Sequence, residues 1–179
     1  MKKSWSVKML VEAGLCIALS FVLGNIKIFT MPQGGSITAG QMIPLIIFAL
    51  RHGLGKGMII GAAYGFLDMI IGGYIIHPAQ ALLDYPLAFG ALGLAGIFSE
   101  EFKQTRSIKP VFLGSALGVV VRYICHVLTG VIFFSSSAGS QNVWVYSILY
   151  NSFLLAEFLI TALIIYLLRG IITKDLVNM

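Results

Sequence analysis

Charge is scarce in this chain. Asp, Glu, Lys and Arg make up 11% of its 179 residues, against 58% hydrophobic residues, where a soluble domain carries about 25% charged residues. A chain of this length cannot hide so much apolar surface in a water-soluble core, because small domains leave much of their surface exposed. Cysteine is equally sparse. Cys16 and Cys125 are the only two, and both fall inside apolar stretches, so neither a disulfide nor a Cys/His metal motif is expected. Missing too is a Gly-rich phosphate-binding loop ending in Lys-Ser/Thr, which excludes ATP binding by that route. No His-Glu-x-x-His and no Gly-x-Ser-x-Gly occurs, so no catalytic constellation is visible and the chain does not read as an enzyme. No metal or cofactor is expected, nor any second domain, linker, low-complexity tract or internal repeat.

What charge there is, is ordered. Ten of the twelve Lys and Arg residues fall into four clusters, Lys2/Lys3/Lys8, Arg51/Lys56, Lys103/Arg106/Lys109 and Arg169/Lys174, with apolar stretches between them. Basic residues collect on the cytoplasmic side of a membrane. Between consecutive clusters the chain must therefore leave and return, which gives six spans with both termini cytoplasmic. Six spans of ~20 residues need roughly 120 residues. The net charge of +5 reads as topology and contact with anionic lipid rather than as nucleic-acid binding. Lys2 and Lys3 before an apolar run imitate a signal peptide. Glu12 interrupts that run and no small-residue cleavage site follows, so the segment is expected to remain as the first span.

The spans are expected at about 8–24, 39–50, 57–73, 80–98, 110–134 and 144–168. Residues Asn25 to about Thr38 form a loop rich in Gly and turn formers. Span 2 is short, which suggests that part of this loop dips into the membrane. Ionisable groups at membrane depth are costly and mark function. They are Glu12, Asp68, Asp84, Arg122, His126 and Glu157. Asp84 falls near the outer end of span 4, His126 in the outer half of span 5, and Tyr146 and Asn151 where span 6 begins. Arg122, His126 and Gly130 follow at i, i+4, i+8 along one helix face, and Gly130 gives close access to a ligand or a neighbouring helix. Tyr146 and Asn151 are ~140° apart on an ideal helix. They share a site only if Tyr146 sits at a frayed start, or if the site wraps around that end.

Each of these residues also has a structural reading. Asp84 could pair with Arg122 or His126 simply as glue between helices. Glu12 and Glu157 read as structural, facing each other or reaching toward an interface. The role of Asp68 is open, and Lys27 reads as a solvated charge. Tyr85, Phe133, Phe134, Trp144, Tyr146 and Tyr150 gather at the outer ends of spans 4 to 6. They form either an interfacial belt or an aromatic cage that, with one carboxylate, holds an organic cation. The cage is the preferred reading, because a lone buried Asp tends to neutralise while a bound cation keeps it ionised. It suits a flat, cationic, heteroaromatic ligand.

Four motifs then stand in order along the chain: Met31-Pro32-Gln33-Gly34-Gly35-Ser36, His77-Pro78-x-Gln80-x-Leu82-Leu83-Asp84-Tyr85, Arg122-Tyr123-x-x-His126-Val127-x-x-Gly130, and Val143-Trp144-x-Tyr146-Ser147-x-x-Tyr150-Asn151. Together they resemble the thiamine-specific substrate-binding subunit (S component) of energy-coupling factor (ECF) transporters, over essentially the whole length. The resemblance implies an all-α integral membrane protein, with residues 1–179 as a single transmembrane substrate-binding domain in a bacterial plasma membrane. It would capture thiamine from outside in a pocket closed by the first loop. The family's carboxylate contact maps to Asp84, where some members have Glu. Its stacking and hydrogen-bonding residues map to His126, Tyr146 and Asn151, with Tyr85 and Gly130 nearby. Phe134 stands where some members stack a Trp, and Trp144 is the available compensation. Gln33, Gly34 and Gly35 take the place of an aromatic lid residue, and their glycines fit a hinge. Gly14 and Ala18 match the small-residue docking face of the family's first span. That face would meet a transmembrane coupling protein carrying two ABC-type ATPases. Other ligands remain open, namely a thiamine precursor or another small vitamin. A solitary proton-coupled carrier using Asp68, Asp84 or Glu157 is the alternative of another class, although such carriers usually show repeats with broken helices.

Overall fold

The computed structural model describes residues 5–32, 35–105 and 107–174, with side chains to residue 168. Lys2, Lys3, Gln33, Gly34 and Arg106, and the side chains of Arg169 and Lys174, therefore lie outside the described part. The outward faces of the helices are apolar. On α1 (Val7–Asn25), Val7, Val11, Leu15, Leu19 and Val22 are all exposed, a stripe suited to lipid tails and not to water. The chain continues through a two-stranded antiparallel hairpin, β1 (Lys27–Thr30) and β2 (Ser36–Thr38), with Phe29 opposite Ile37 and Thr30 opposite Ser36. Then follow α2 (Met42–His52), α3 (Leu54–Gly72), α4 (Pro78–Thr105), α5 (Ile108–Phe133), α6 (Val143–Tyr150) and α7 (Phe153–Lys174).

Five apolar segments are long enough to cross a bilayer: α1, α3, α4, α5, and α6 with α7 taken together. The sixth, α2, is about 16 Å long at 1.5 Å per residue, roughly half the hydrocarbon thickness. Its position compensates for its length. Met42, Leu45, Ile46, Phe48, Ala49 and Leu50 are all buried, so α2 forms the centre of the bundle and lipid does not have to accommodate its ends. The hairpin is the β element that the sequence pattern did not announce. Thr38 is fully buried, so the loop does enter the bundle, as a paired strand.

Glycines set how closely the helices approach. Gly57, Gly61 and Gly65 recur every four residues along α3 and face α4: a Cβ on Gly61 would overlap the carbonyl oxygen of Phe89, and one on Gly65 would stand 2.5 Å from that of Tyr85. This is small-x-x-x-small packing, inside the bundle and distinct from the Gly14/Ala18 pair. Gly61→Ala is expected to cost about 1–3 kcal/mol by overpacking, read as a lower unfolding temperature in detergent. The single residue joining α2 to α3 is Gly53 at φ +88°, a conformation most residues avoid.

Glu12 and Glu157 do not face each other. Glu12 pairs with Arg51 Nε at 2.8 Å and His52 Nε2 at 3.0 Å, clipping α1 to the end of α2. Glu157 lies on α7, buried against Arg122 and Thr38. A carboxylate at membrane depth takes whichever cations the packing brings near, and the packing separates these two.

Two helices are broken where function is expected. Within α4 the backbone runs as an α-turn (Pro78–Leu82), a π-turn (Leu83–Leu87) and an α-turn (Ala88–Ala91), then a 3₁₀ stretch (Leu92–Phe98) and an α-turn (Ser99–Thr105). Pro86 inside the π-turn lacks the N–H that a regular helix would use. The span expected at 144–168 is likewise interrupted, at Asn151 and Ser152.

Candidate functional site

At the end of the bundle reached by the C-termini of α1, α3 and α5 lies a cavity of about 150 Å³. Its wall includes Asp84 and Tyr85 on the π-turn, Arg122, His126 and Gly130 on α5, Phe134 just after α5, and Tyr146, Tyr150 and Asn151. Lys27, Gly35 and Ser36 of the hairpin and Asp68 of α3 also belong to the lining. The π-turn supplies the reason that Asp84 and Tyr85 both face inward: one extra residue in the turn re-aims successive side chains, and such turns concentrate at functional sites.

Asp84 is held at both oxygens. Its Oδ1 lies 2.8 Å from His126 Nδ1, and its Oδ2 accepts from Gln80 Nε2 at 2.8 Å. Gln80, itself buried, also donates to the Tyr74 carbonyl at 3.0 Å and accepts from the Ile76 amide at 3.1 Å. Tyr85 Oη accepts from the Tyr74 amide at 2.7 Å. One amide side chain and one phenol thus brace the 73–77 turn against the carboxylate. With Nδ1 engaged by Asp84, His126 Nε2 is buried and has no partner among the described residues, while the residue itself belongs to the cavity lining. A buried nitrogen left open in a cavity lining is a place for a ligand.

The break in the last span brings Tyr146 and Asn151 together. Asn151 Nδ2 donates to the Ser147 carbonyl at 2.9 Å and to the His126 carbonyl at 3.3 Å, stitching the end of α6 to α5. Gly130 makes room for this seam: a Cβ there would overlap Ser147 Oγ, which donates to the Val127 carbonyl at 2.8 Å. The site therefore wraps around the helix end. Of the six aromatics singled out by sequence, Tyr85, Phe134, Tyr146 and Tyr150 line the cavity. Phe133 instead stacks on His77, with ring centroids 5.1 Å apart. Trp144 is half exposed and is not among the lining residues. Two positions before the inward Tyr146, it is rotated by about 200° on the helix, so it faces away and does not replace a stacking Trp at Phe134. The six aromatics thus divide, four toward the cavity and two away from its lining.

Residues 10–176 match the family model described as thiamine transporter protein (Thia_YuaJ). The chain belongs to the thiamine transporter family. It is 32% identical over 180 aligned positions to the thiamine transporter ThiT of Bacillus subtilis, covering 94% of this chain and 93% of that protein. To the thiamine transporter ThiT of Lacticaseibacillus paracasei it is 29% identical over 163 positions, covering 84% of this chain and 81% of that one. The solved structure of ThiT from Listeria monocytogenes superposes with a TM-score of 0.82 at 27% identity, over 95% of this chain and 97% of that chain. Family, length and fold agree on a multi-pass membrane transport component that is not an enzyme.

For a thiamine transporter, most of the residues expected at the binding site lie in the cavity wall, while the bracing behind them was missed. Asp84, Tyr85, His126, Gly130, Phe134, Tyr146 and Asn151 line it, as does Gly35 of the loop expected to gate. Gly14 and Ala18 lie elsewhere, exposed on α1. No bracing role was foreseen for Gln80, which stands in the second motif, or for Tyr74. Gln80 stands four residues before Asp84, a spacing that places two side chains on one helix face, and that signal could have found it. Tyr74 follows the last turn of α3 and carries no such pattern. Lys27, read as merely solvated, lies in the lining with Asp68 and Arg122.

Proposed function

We propose that this chain captures thiamine on the outer face of the plasma membrane. In this reading it works as the substrate-binding subunit of an ATP-driven ECF importer, with the coupling protein and two ATPases as partners. The observation that carries the proposal is Asp84, braced at both oxygens inside an aromatic-lined cavity. A fixed carboxylate supplies the countercharge for a cationic heteroaromatic ring. Tyr85, Phe134, Tyr146 and Tyr150 supply π-faces, and the unpartnered Nε2 of His126 is a further hydrogen-bonding group beside them. The outward orientation is supported by Arg51, Lys56, Lys103 and Lys109, which lie at the far ends of the helices whose other ends line the cavity. By the positive-inside rule that far end is cytoplasmic.

The test is titration of detergent-purified protein with thiamine, with riboflavin and biotin as controls. Calorimetry is the primary readout, because the two tryptophans, Trp5 and Trp144, both lie outside the cavity lining. Saturable one-to-one binding of thiamine alone is the expected result. Failure of folded protein to bind it, with binding of a precursor pyrimidine or thiazole instead, would reassign the ligand.

Docking to the coupling protein through Gly14 and Ala18 is supported by their exposure and by the open space around Gly14. Gly14→Leu is expected to leave thiamine binding unchanged and to abolish ATP-dependent uptake in cells that express the partner subunits. Normal uptake by this variant would move the docking face elsewhere.

A further inference from the structure

Below the braced carboxylate, the structure holds a second buried polar centre that ligand contact does not explain. Glu157 on α7 is fully buried. Its Oε1 accepts from Thr38 Oγ1 at 2.5 Å, and Thr38, also fully buried, is the last residue of β2. The same hydroxyl oxygen accepts from the backbone amide of Gln41 at 3.3 Å, immediately before α2. One threonine thus ties the hairpin, the entry to α2 and the start of α7 at a single node. A second contact fixes the strand upstream: a Cβ on Gly35 would stand 2.6 Å from the Phe153 ring.

The other carboxylate oxygen, Oε2, faces Arg122 Nη1 at 3.8 Å. That distance is an ion pair and is too long for a hydrogen bond. Arg122 is 4% exposed, lies over the Phe89 ring with Cζ 4.1 Å from the centroid, and lines the cavity. Neither its Nε nor its Nη1 has a hydrogen-bond acceptor among the described residues. A buried guanidinium is costly unless paired. Here its orientation is set by a carboxylate at one side and a ring beneath it. Gly35 and Ser36, just before Thr38, belong to the cavity wall.

We propose that Glu157 is a positioning residue of the binding site. One oxygen clamps the hairpin wall through Thr38, and the other holds Arg122 in the cavity floor, so that wall and floor are set by one side chain. The proposal rests on the reading of the cavity as the thiamine site and assigns a role to a residue outside the lining. A carboxylate with two different partners makes the two arms separable. Thr38→Val keeps shape and removes the wall arm, and Thr38→Ser restores it. Glu157→Gln keeps an acceptor for Thr38 and removes the charge that faces Arg122.

The experiment combines amide hydrogen exchange in the ligand-free protein with thiamine dissociation kinetics. Thr38→Val is expected to raise exchange at residues 36–41, and to raise the thiamine off-rate, by about tenfold, the size of one buried hydrogen bond. Exchange in α3 is expected to stay at the parent level, and Thr38→Ser is expected to restore both quantities. Glu157→Gln is expected to leave exchange at 36–41 near the parent level and to weaken thiamine binding. If Thr38→Val is poorly folded, Thr38→Ala against Thr38→Ser makes the same comparison. Unchanged exchange in Thr38→Val, or no rescue by Ser, overturns the clamp. The exchange measurement needs no ligand. A parent that ignores thiamine but shows the localised exchange effect therefore refutes the ligand assignment and leaves the clamp standing.

Discussion

Asp84→Asn is expected to raise the thiamine Kd by roughly 30- to 4000-fold. Removing the charge from one side of a desolvated, hydrogen-bonded ion pair costs about 2–5 kcal/mol, and each 1.4 kcal/mol is tenfold in affinity. The geometry adds a second effect. Gln80 cannot turn its amide to suit an Asn, because its oxygen serves the Ile76 amide and its nitrogen serves the Tyr74 carbonyl. The new side chain must therefore give its oxygen to Gln80 and its NH₂ group to His126 Nδ1. That forces the neutral imidazole to carry its proton on Nε2, so the unpartnered nitrogen changes from acceptor to donor. The variant loses a countercharge and also inverts a hydrogen-bonding position. Titration calorimetry of Asp84→Asn beside Asp84→Glu separates the two effects, since Glu keeps the charge. Parent-like affinity in the Asn variant would leave Asp84 as glue between α4 and α5.

The architecture was readable because a bilayer imposes strict requirements on a sequence. Scarce charge, four basic clusters and the apolar stretches between them leave little freedom once each backbone group must be satisfied within its own span. The cavity lining was readable wherever helical spacing carries over into the structure, as with Arg122, His126 and Gly130 on one face of α5. It was less readable where the helix is irregular. The π-turn at Leu83–Leu87 and the interruption at Asn151 decide which side chains enter the cavity. Neither follows from hydrophobic period, because a lipid-facing helix is apolar on most sides and gives only a weak phase. Trp144 shows the consequence. Aromatic content places it at the correct end of the bundle, but only the rotation of α6 about its axis decides whether it faces ligand or lipid. The Thr38–Glu157 contact joins residues 119 positions apart, and no local pattern encodes such a pairing.

The second large effect is expected at Gly130. Gly130→Ala places a methyl group onto Ser147 Oγ, with Ser147 Cβ only 3.0 Å away. Ser147 cannot rotate freely, because its hydroxyl is buried and bonded to the Val127 carbonyl. The overlap is relieved only if α6 moves off α5. That movement pulls Asn151 from the His126 carbonyl, 3.3 Å away in the parent, and turns Tyr146 and Tyr150 out of register with Asp84. Overpacking of this kind costs about 1–3 kcal/mol in stability, and thiamine affinity is expected to fall by about 10- to 100-fold as two walls of the cavity separate. The check is a double-mutant cycle. Ser147→Gly removes the two atoms that the new methyl group would overlap or crowd, so Gly130→Ala/Ser147→Gly is expected to recover affinity relative to Gly130→Ala alone, and such coupling is the signature of direct contact. Strict additivity would mean that Gly130 acts on the ligand itself rather than through the α5–α6 seam.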